Sequence, residues 1–185
     1  ITKKAERHPE DPTWRLGDTY ISSIGQGDFA ITPLQMAVAL SALANGKQLV
    51  VPHILKAVLT GPEKRVEEPK GVPLQLDPAH LLVVKEGMIM TTEIGTARLL
   101  ADLPFTIAAK SGSAEVGNKQ RSHSWLLAYT TDTPEPLGMV FFLEAGPREN
   151  NVGSGVLAYR VLQWVTQHGG IEGIMSTEKS PEATP

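Results

Sequence analysis

Three short apolar runs in the second half of the chain constrain its fold more than any other feature. Residues 105–109, 124–130 and 137–144 have the composition of β-strands. Turn-forming residues at positions 118–121 and 132–136 separate these runs. Because such links are too short for a crossover helix, the pattern predicts a three-stranded antiparallel meander.

Helix signals lie on both sides of these runs. Thr32 is suited to an N-cap and is followed by a proline, and Gln35 completes a capping box. The helix is predicted to end at Asn45, where a glycine follows. The same cap pattern predicts a second helix from Asp77, and residues 156–167 predict a closing helix. We therefore expect an α+β fold, with helices packed on an antiparallel sheet.

The remaining segments suggest how the chain is organised. Residues 1–18 are polar and contain two prolines, so they are predicted to form a loop that leads into the domain. Residues 19–170 are expected to form the folded part, and residues 171–185 a flexible tail. Within the folded part, residues 49–59 predict one or two edge strands and residues 61–75 a surface loop.

The composition excludes several classes of function. Of the 185 residues, 41% are hydrophobic and 20% are charged, which is typical of a globular protein with a core. A net charge of −3 argues against nucleic-acid binding, which requires a basic patch. The absence of cysteine excludes disulfides and thiolate chemistry, and the five histidines are not at metal-ligand spacing. We therefore expect neither a metal nor a cofactor.

The most informative segment for chemistry continues the first predicted strand. It places Lys110, Ser111, Gly112 and Ser113 one after another. Because side chains alternate along a strand, the two serines are predicted to share one face, and the lysine and glycine the other. A glycine in a strand allows the close approach of a ligand, and donors along a strand edge can bind an extended peptide. The alternative is a polar strand end that leads into a turn.

The surroundings of this segment favour the first interpretation. It belongs to a set of seven motifs, which are, in chain order, Gly17-Asp18-Thr19, Ser23-Ile24-Gly25-Gln26-Gly27, Thr32-Pro33-Leu34-Gln35-Met36-Ala37, Ala44-Asn45-Gly46, Val51-Pro52-His53-Ile54-Leu55, Lys110-Ser111-Gly112-Ser113-Ala114-Glu115 and His123-Ser124-Trp125-Leu126-Leu127-Ala128-Tyr129. Together these motifs resemble those of the class B penicillin-binding proteins, most nearly those of the cell-elongation type. The second-last motif, the Lys-Ser-Gly segment, resembles the family's Lys-Thr/Ser-Gly motif.

The resemblance implies part of a penicillin-binding and β-lactamase-like transpeptidase fold and a serine acyltransferase that cross-links peptidoglycan stem peptides. Lys110 would supply positive charge and assist proton transfer. The hydroxyls of Ser111 and Ser113 would bind the terminal carboxylate of D-Ala-D-Ala or of a β-lactam antibiotic, with Gly112 between them. The backbone N–H of Ser113 would be one donor of the oxyanion hole, where a single donor is worth about 10²–10³ in rate.

The sequence departs from the family in one respect. The family's nucleophile belongs to a Ser-x-x-Lys motif upstream of all these segments, whereas the Ser-x-x-Lys of this chain begins at Ser176, in the predicted tail. A nucleophile must be held by packed neighbours, so we do not expect Ser176 to be catalytic. The chain also has no Ser-x-Asn motif. We expect a C-terminal part of a transpeptidase domain that is inactive by itself and needs the N-terminal part of the same protein, either in one polypeptide with these residues or as a separate chain.

Two other arrangements of residues imitate active-site motifs. Residues 25–30 fit a dinucleotide-binding Gly-x-Gly-x-x-Ala pattern, but Pro33 removes a donor at the helix start, and no acidic residue follows at the required distance. A loop on the rim of the cleft is the preferred interpretation. A hydrolase set of Ser124, His123 and Asp132 is unfavourable because neighbouring residues of a strand point to opposite faces. His123 is expected to be structural.

The aromatic side chains of the predicted strands are expected to pack in the core rather than to stack on a ligand. They are Trp125, Tyr129, Phe141 and Phe142.

Two classes of function stay open on the sequence alone. The chain could belong to a transpeptidase, or to a non-catalytic interaction module of the cell-wall machinery that retained the scaffold. The resemblance implies a location on the outer side of the bacterial plasma membrane, with an anchor that these residues do not include. No run of apolar residues here is long enough to span a bilayer.

Overall fold

The computed structural model describes residues 2–55, 57–60, 63–66, 70–116, 120–133, 136–147 and 153–175. The first half of the chain is mainly helical and contains two small antiparallel sheets. Its elements are α1 (Thr2–Arg7), α2 (Leu16–Ser23), α3 (Pro33–Asn45), β1 (Gln48–Val50), β2 (Ala57–Thr60), β3 (Glu63–Val66), β4 (Gly71–Pro73) and α4 (Pro78–Glu93). Strand β1 pairs with β4, and β2 pairs with β3.

The second half contains the main sheet. A 3₁₀ helix (Arg98–Asp102) leads into β5 (Ile107–Val116), β6 (Arg121–Thr130) and β7 (Gly138–Pro147), and α5 (Ser154–Gln167) and α6 (Gly170–Met175) follow. The three strands lie in the order β5-β6-β7 and are antiparallel throughout. The predicted meander, the cap at Thr32 and the α+β class are therefore confirmed.

Each face of the main sheet carries its own apolar core. On one face Ala109 and Leu126 pack with Ala158 and Leu162 of α5. On the other face Ala108 and Tyr129 pack with Leu40 of α3 and Met88 of α4. The alternation of strand side chains thus divides the sheet between two layers of helices. Within the described part of the chain, no helix is both long and apolar enough to span a membrane.

The loop that we predict over residues 1–18 instead contains helix α1 and the first residues of α2. Lys4 explains the difference, because the residue is only 6% exposed and its Nζ donates to the carbonyl of Thr13 at 2.8 Å and to the carboxylate of Asp18 at 2.7 Å. The bond to Asp18 joins α1 to α2, and together with the backbone N–H of Arg15 it holds the pKa of Asp18 below its ordinary value. A short polar helix held by such contacts leaves no periodic pattern in the sequence.

Two further boundaries differ from the prediction. The surface loop predicted over residues 61–75 contains β3 and β4, because β4 pairs with β1 from a distance in the sequence that local patterns do not reveal. The tail predicted over residues 171–185 is helical up to Met175. The remainder of that tail, with Ser176, lies outside the described residues.

Candidate active site on the edge of the main sheet

The candidate site begins where β5 leaves the core. Residues 107–109 are buried between the two helical layers, and the fraction of Ala109 that is exposed is 0%. From Lys110 onwards the strand becomes accessible, with Lys110, Gly112 and Ser113 exposed and Ser111 half-buried. Since β5 is an outer strand of the described sheet, one side of its backbone faces away from β6. The predicted residues therefore lie at the surface, on a strand edge.

The register of β5 against β6 fixes the face on which each side chain lies. Ser111 pairs with Leu126 and Ser113 with Ser124, so both serines lie on the α5 face. Lys110 pairs with Leu127 and Gly112 with Trp125, on the face that packs against α3. The predicted division of the serines from the lysine and glycine is confirmed by this register.

A cleft of about 700 Å³ runs along this segment of β5. One wall is formed by residues 110–116 of the strand and the other by residues 24–31, which connect α2 to α3. Gly25 and Gly27 of that connection have φ values of +75° and +79°, which favour glycine. The residues that resemble a dinucleotide-binding motif thus form the rim of the cleft, and a helix rather than a strand precedes them.

Three hydrogen bonds organise the polar groups of this edge. The hydroxyl of Thr96 lies 2.6 Å from the hydroxyl of Ser111. The side-chain amide of Gln26 donates from Nε2 to the backbone carbonyl of Ser113 at 3.1 Å. Nζ of Lys110 donates to the backbone carbonyl of Ser111. Together they hold one hydroxyl and two carbonyls of the segment.

A smaller pocket of about 290 Å³ lies on the α5 face, behind the two serines. Five residues with hydroxyl groups line it, namely Thr96, Ser111, Ser113, Ser124 and Ser154. The Oγ atoms of Ser124 and Ser154 are 2.9 Å apart, and the backbone N–H of Ser154 also donates to Oγ of Ser124 at 2.9 Å. This pair of serines fastens the start of α5 to β6, beside the hydroxyls of β5.

The aromatic residues divide between the core and the cleft. Tyr129 is buried and Phe141 packs against the core, as predicted. Trp125 and Phe142, which we predict to be core residues, instead line the cleft, with their ring centroids 4.1 Å apart. Both side chains lie on the α3 face of the sheet, beyond the part of that face that α3 covers. Apolar composition alone does not reveal how far along a strand the helix covers it.

His123 has a structural role. A β-bulge interrupts the pairing of β6 with β7 between Ser122 and Ser124, and the backbone N–H of Ala145 donates to Nδ1 of His123 at 3.1 Å. Ser124 faces α5, whereas His123 lines the cleft, so the two side chains do not meet. The carboxylate of Asp132 accepts the backbone N–H of Thr106 at 2.8 Å. The hydrolase set is therefore absent from this part of the structure.

Sequence reasoning missed the contacts of two residues. Thr96 lies 15 residues before Ser111, and Gln26 lies 87 residues before Ser113. The glycines on either side of Gln26 signalled a tight turn, but no local pattern signals the partner of either side chain. Among the described residues, no group of three or more His, Asp or Glu side chains could hold a metal ion.

The chain is similar to known proteins over most of its length. Residues 3–161 match the family described as penicillin binding protein transpeptidase domain. The sequence is 33% identical over 175 residues to peptidoglycan D,D-transpeptidase MrdA of Salmonella typhimurium, covering 84% of the chain and 27% of the relative. It is 30% identical over 171 residues to the protein of the same name from Haemophilus influenzae, covering 82% and 26%. The chain thus spans about a quarter of the length of these relatives.

Solved structures show the same likeness. Pseudomonas aeruginosa PBP2, in complex with WCK 5153, matches with a TM-score of 0.66 and 26% identity, covering 99% of the chain and 39% of that protein. PBP2 of Helicobacter pylori, solved in a complex with MreC, matches with a TM-score of 0.62 and 28% identity, covering 90% and 30%.

Proposed function

The chain belongs to the penicillin-binding protein transpeptidase family, and from that premise we propose that it forms the Lys-Ser-Gly half of the active site of a serine D,D-transpeptidase. The protein would cross-link peptidoglycan stem peptides that end in D-Ala-D-Ala and would be acylated by β-lactam antibiotics. The observation that carries the proposal is the exposed edge from Lys110 to Ser113, which faces a cleft of about 700 Å³.

Each residue of this edge has a group suited to one part of acyl transfer. The ammonium of Lys110 lies on the cleft face and supplies a positive charge and a proton for the reacting groups. The hydroxyls of Ser111 and Ser113 are donors for a carboxylate, and Thr96 holds that of Ser111 in place. The backbone N–H of Ser113 is a donor for the oxygen on which negative charge develops.

We propose that the nucleophilic serine comes from a segment outside these 185 residues. Its Oγ would attack the carbonyl carbon of the penultimate D-Ala, forming the C–O bond of an acyl-enzyme. The C–N bond would then break, and the terminal D-Ala would leave as an amine that takes up a proton. The amine of a second stem peptide would attack the acyl-enzyme and release the serine. This scheme needs no metal and no cofactor.

The surroundings of the reaction follow from the same proposal. MrdA relatives are named peptidoglycan D,D-transpeptidases, and one similar PBP2 was solved with MreC. We infer that the complete protein works at the outer side of the plasma membrane, within an assembly that synthesises the cell wall. The alternative, a non-catalytic module on the same scaffold, has less support, because the lysine, the glycine and both hydroxyls are all present.

Labelling with a fluorescent penicillin tests the proposal. The complete protein that contains this chain is expected to form one covalent adduct, which peptide mapping locates on a serine outside residues 1–185. An excess of unlabelled penicillin serves as the competition control. Absence of label at every serine would remove the enzymatic interpretation, and an adduct on Ser111 or Ser113 would contradict their role in binding.

A further inference from the structure

The backbone of Ser113 is the part of the edge that an incoming peptide would meet. Gln26 reaches the carbonyl of Ser113 from outside the main sheet. Because backbone groups alternate along a strand, the N–H and the carbonyl of one residue point to the same side. The N–H and carbonyl of Ser113 therefore both lie on the open side of β5, as does the carbonyl of Ser111, which Lys110 contacts. This open side offers the bonding pattern to which an extended peptide adds as a new strand.

The connection between α2 and α3 is built to hold Gln26 at this place. The backbone N–H groups of Gly25 and Gln26 donate to the carbonyls of Ser22 and Ile21, at 3.0 and 3.2 Å. A side chain at Gly27 would put its Cβ 2.9 Å from Cγ2 of Ile21, so the turn closes tightly against α2.

The other end of the turn is anchored to the N-terminal region. Oδ1 of Asp28 lies 3.4 Å from Nε2 of His8 and 4.0 Å from the guanidinium of Arg7. With both ends fixed, the fold places the Gln26 side chain within reach of β5, where its amide donates to the carbonyl of Ser113.

Resting on the proposed function, we propose that Gln26 caps the edge of β5 and competes with the amide N–H of the ligand for the carbonyl of Ser113. The primary amide of Gln26 makes the same hydrogen bond to that carbonyl as the N–H of a peptide would make on adding to the strand edge. A ligand with an N–H at this position has to displace Gln26, whereas a ligand without one leaves the cap in place. Gln26 is therefore a specificity-determining residue.

The size of the effect follows from the strength of the displaced bond. A net hydrogen bond at an exposed site corresponds to a factor of about two to ten in an equilibrium constant. Gln26→Met keeps the length of the side chain and removes the donor. It is expected to raise the second-order rate of acylation by a penicillin with an acylamino side chain by this factor. Acylation by a carbapenem with a hydroxyethyl group in place of the acylamino group is expected to stay unchanged.

The experiment measures both rates on the complete protein. Gln163→Met is the matched control, since Gln163 is exposed on α5 and lies outside the cleft. Gln26→Asn withdraws the amide by one methylene and should act in the same direction as Gln26→Met, so it decides the question if the latter does not fold.

The outcomes separate the two proposals. A rise for the penicillin alone supports the cap. An unchanged ratio of the two rates, or an equal fall in both, would overturn it and make Gln26 inert or a positioning residue for Ser113. Failure of the wild-type protein to react with either β-lactam would instead contradict the proposed function.

Discussion

A methyl group at position 112 should separate the stability of the fold from the binding of ligand. Gly112 has an ordinary strand conformation, and a Cβ built on it would meet only Cβ of Trp125, at 3.7 Å. That is normal van der Waals contact, so the fold has room for alanine. The new methyl group would lie on the cleft face, beside Lys110, where a ligand along β5 has to approach.

The substitution is expected to affect stability and acylation in different directions. Because alanine restricts the unfolded chain more than glycine does, Gly112→Ala should leave the free energy of unfolding unchanged or raise it by up to about 1 kcal/mol. Acylation should fall by about tenfold to hundredfold, since a displacement on the order of 1 Å at a reacting centre costs about 10² in rate. Thermal unfolding and the rate of fluorescent-penicillin acylation of the complete protein measure the two quantities.

Gly17→Ala is the matched control, because Gly17 lies in α2 and a Cβ there would meet nothing within 4 Å. It should gain up to about 1 kcal/mol of stability, because alanine restricts the unfolded chain, and keep its acylation rate. Wild-type acylation in Gly112→Ala would refute the close approach of ligand to this strand. Marked destabilisation would show instead that the fold requires the glycine.

Two other substitutions test separate parts of the account. Lys110→Ala should lower acylation by about 10²–10⁴ while stability changes by less than about 0.5 kcal/mol; Lys47→Ala, at another exposed lysine, is the control, and unchanged acylation would reject the role of Lys110. Tyr129→Phe should stabilise the protein by about 1 kcal/mol, because Tyr129 is 3% exposed and its hydroxyl has no hydrogen-bond partner among the described residues. Burial raises the pKa of Tyr129 above 10.0, so the folded state keeps the proton that the unfolded chain loses, and wild-type stability should decline above about pH 10. If Tyr129→Phe lost as much stability above about pH 10 as the wild type does, the decline could not be assigned to Tyr129.

Local signals predicted the elements that local contacts stabilise. At the start of α3 the backbone N–H of Gln35 donates to the Thr32 hydroxyl at 3.2 Å, and Oε1 of Gln35 accepts the N–H of Thr32 at 2.9 Å. Gly46 ends that helix with a φ of +64°. These bonds join residues that are at most a few positions apart, so the partners form a local motif that can be recognised in the sequence.

Contacts between residues far apart in the sequence could not be predicted, because local patterns do not record them. Strand β4 forms because β1 offers it a partner, and α1 is held by the buried ammonium of Lys4. In the site, alternation along β5 predicted which face each of residues 110–113 takes. It could not predict that Thr96 would reach Ser111, or that the amide of Gln26 would reach the backbone of Ser113.

The most direct test of the central claim is a crystal structure of the complete protein acylated by a penicillin. The carboxylate of the bound drug is expected to lie about 2.5–3.2 Å from the hydroxyls of Ser111 and Ser113. The carbonyl oxygen of the acyl group is expected to accept the backbone N–H of Ser113. A drug bound with its carboxylate away from both hydroxyls, and its carbonyl oxygen away from β5, would contradict the account.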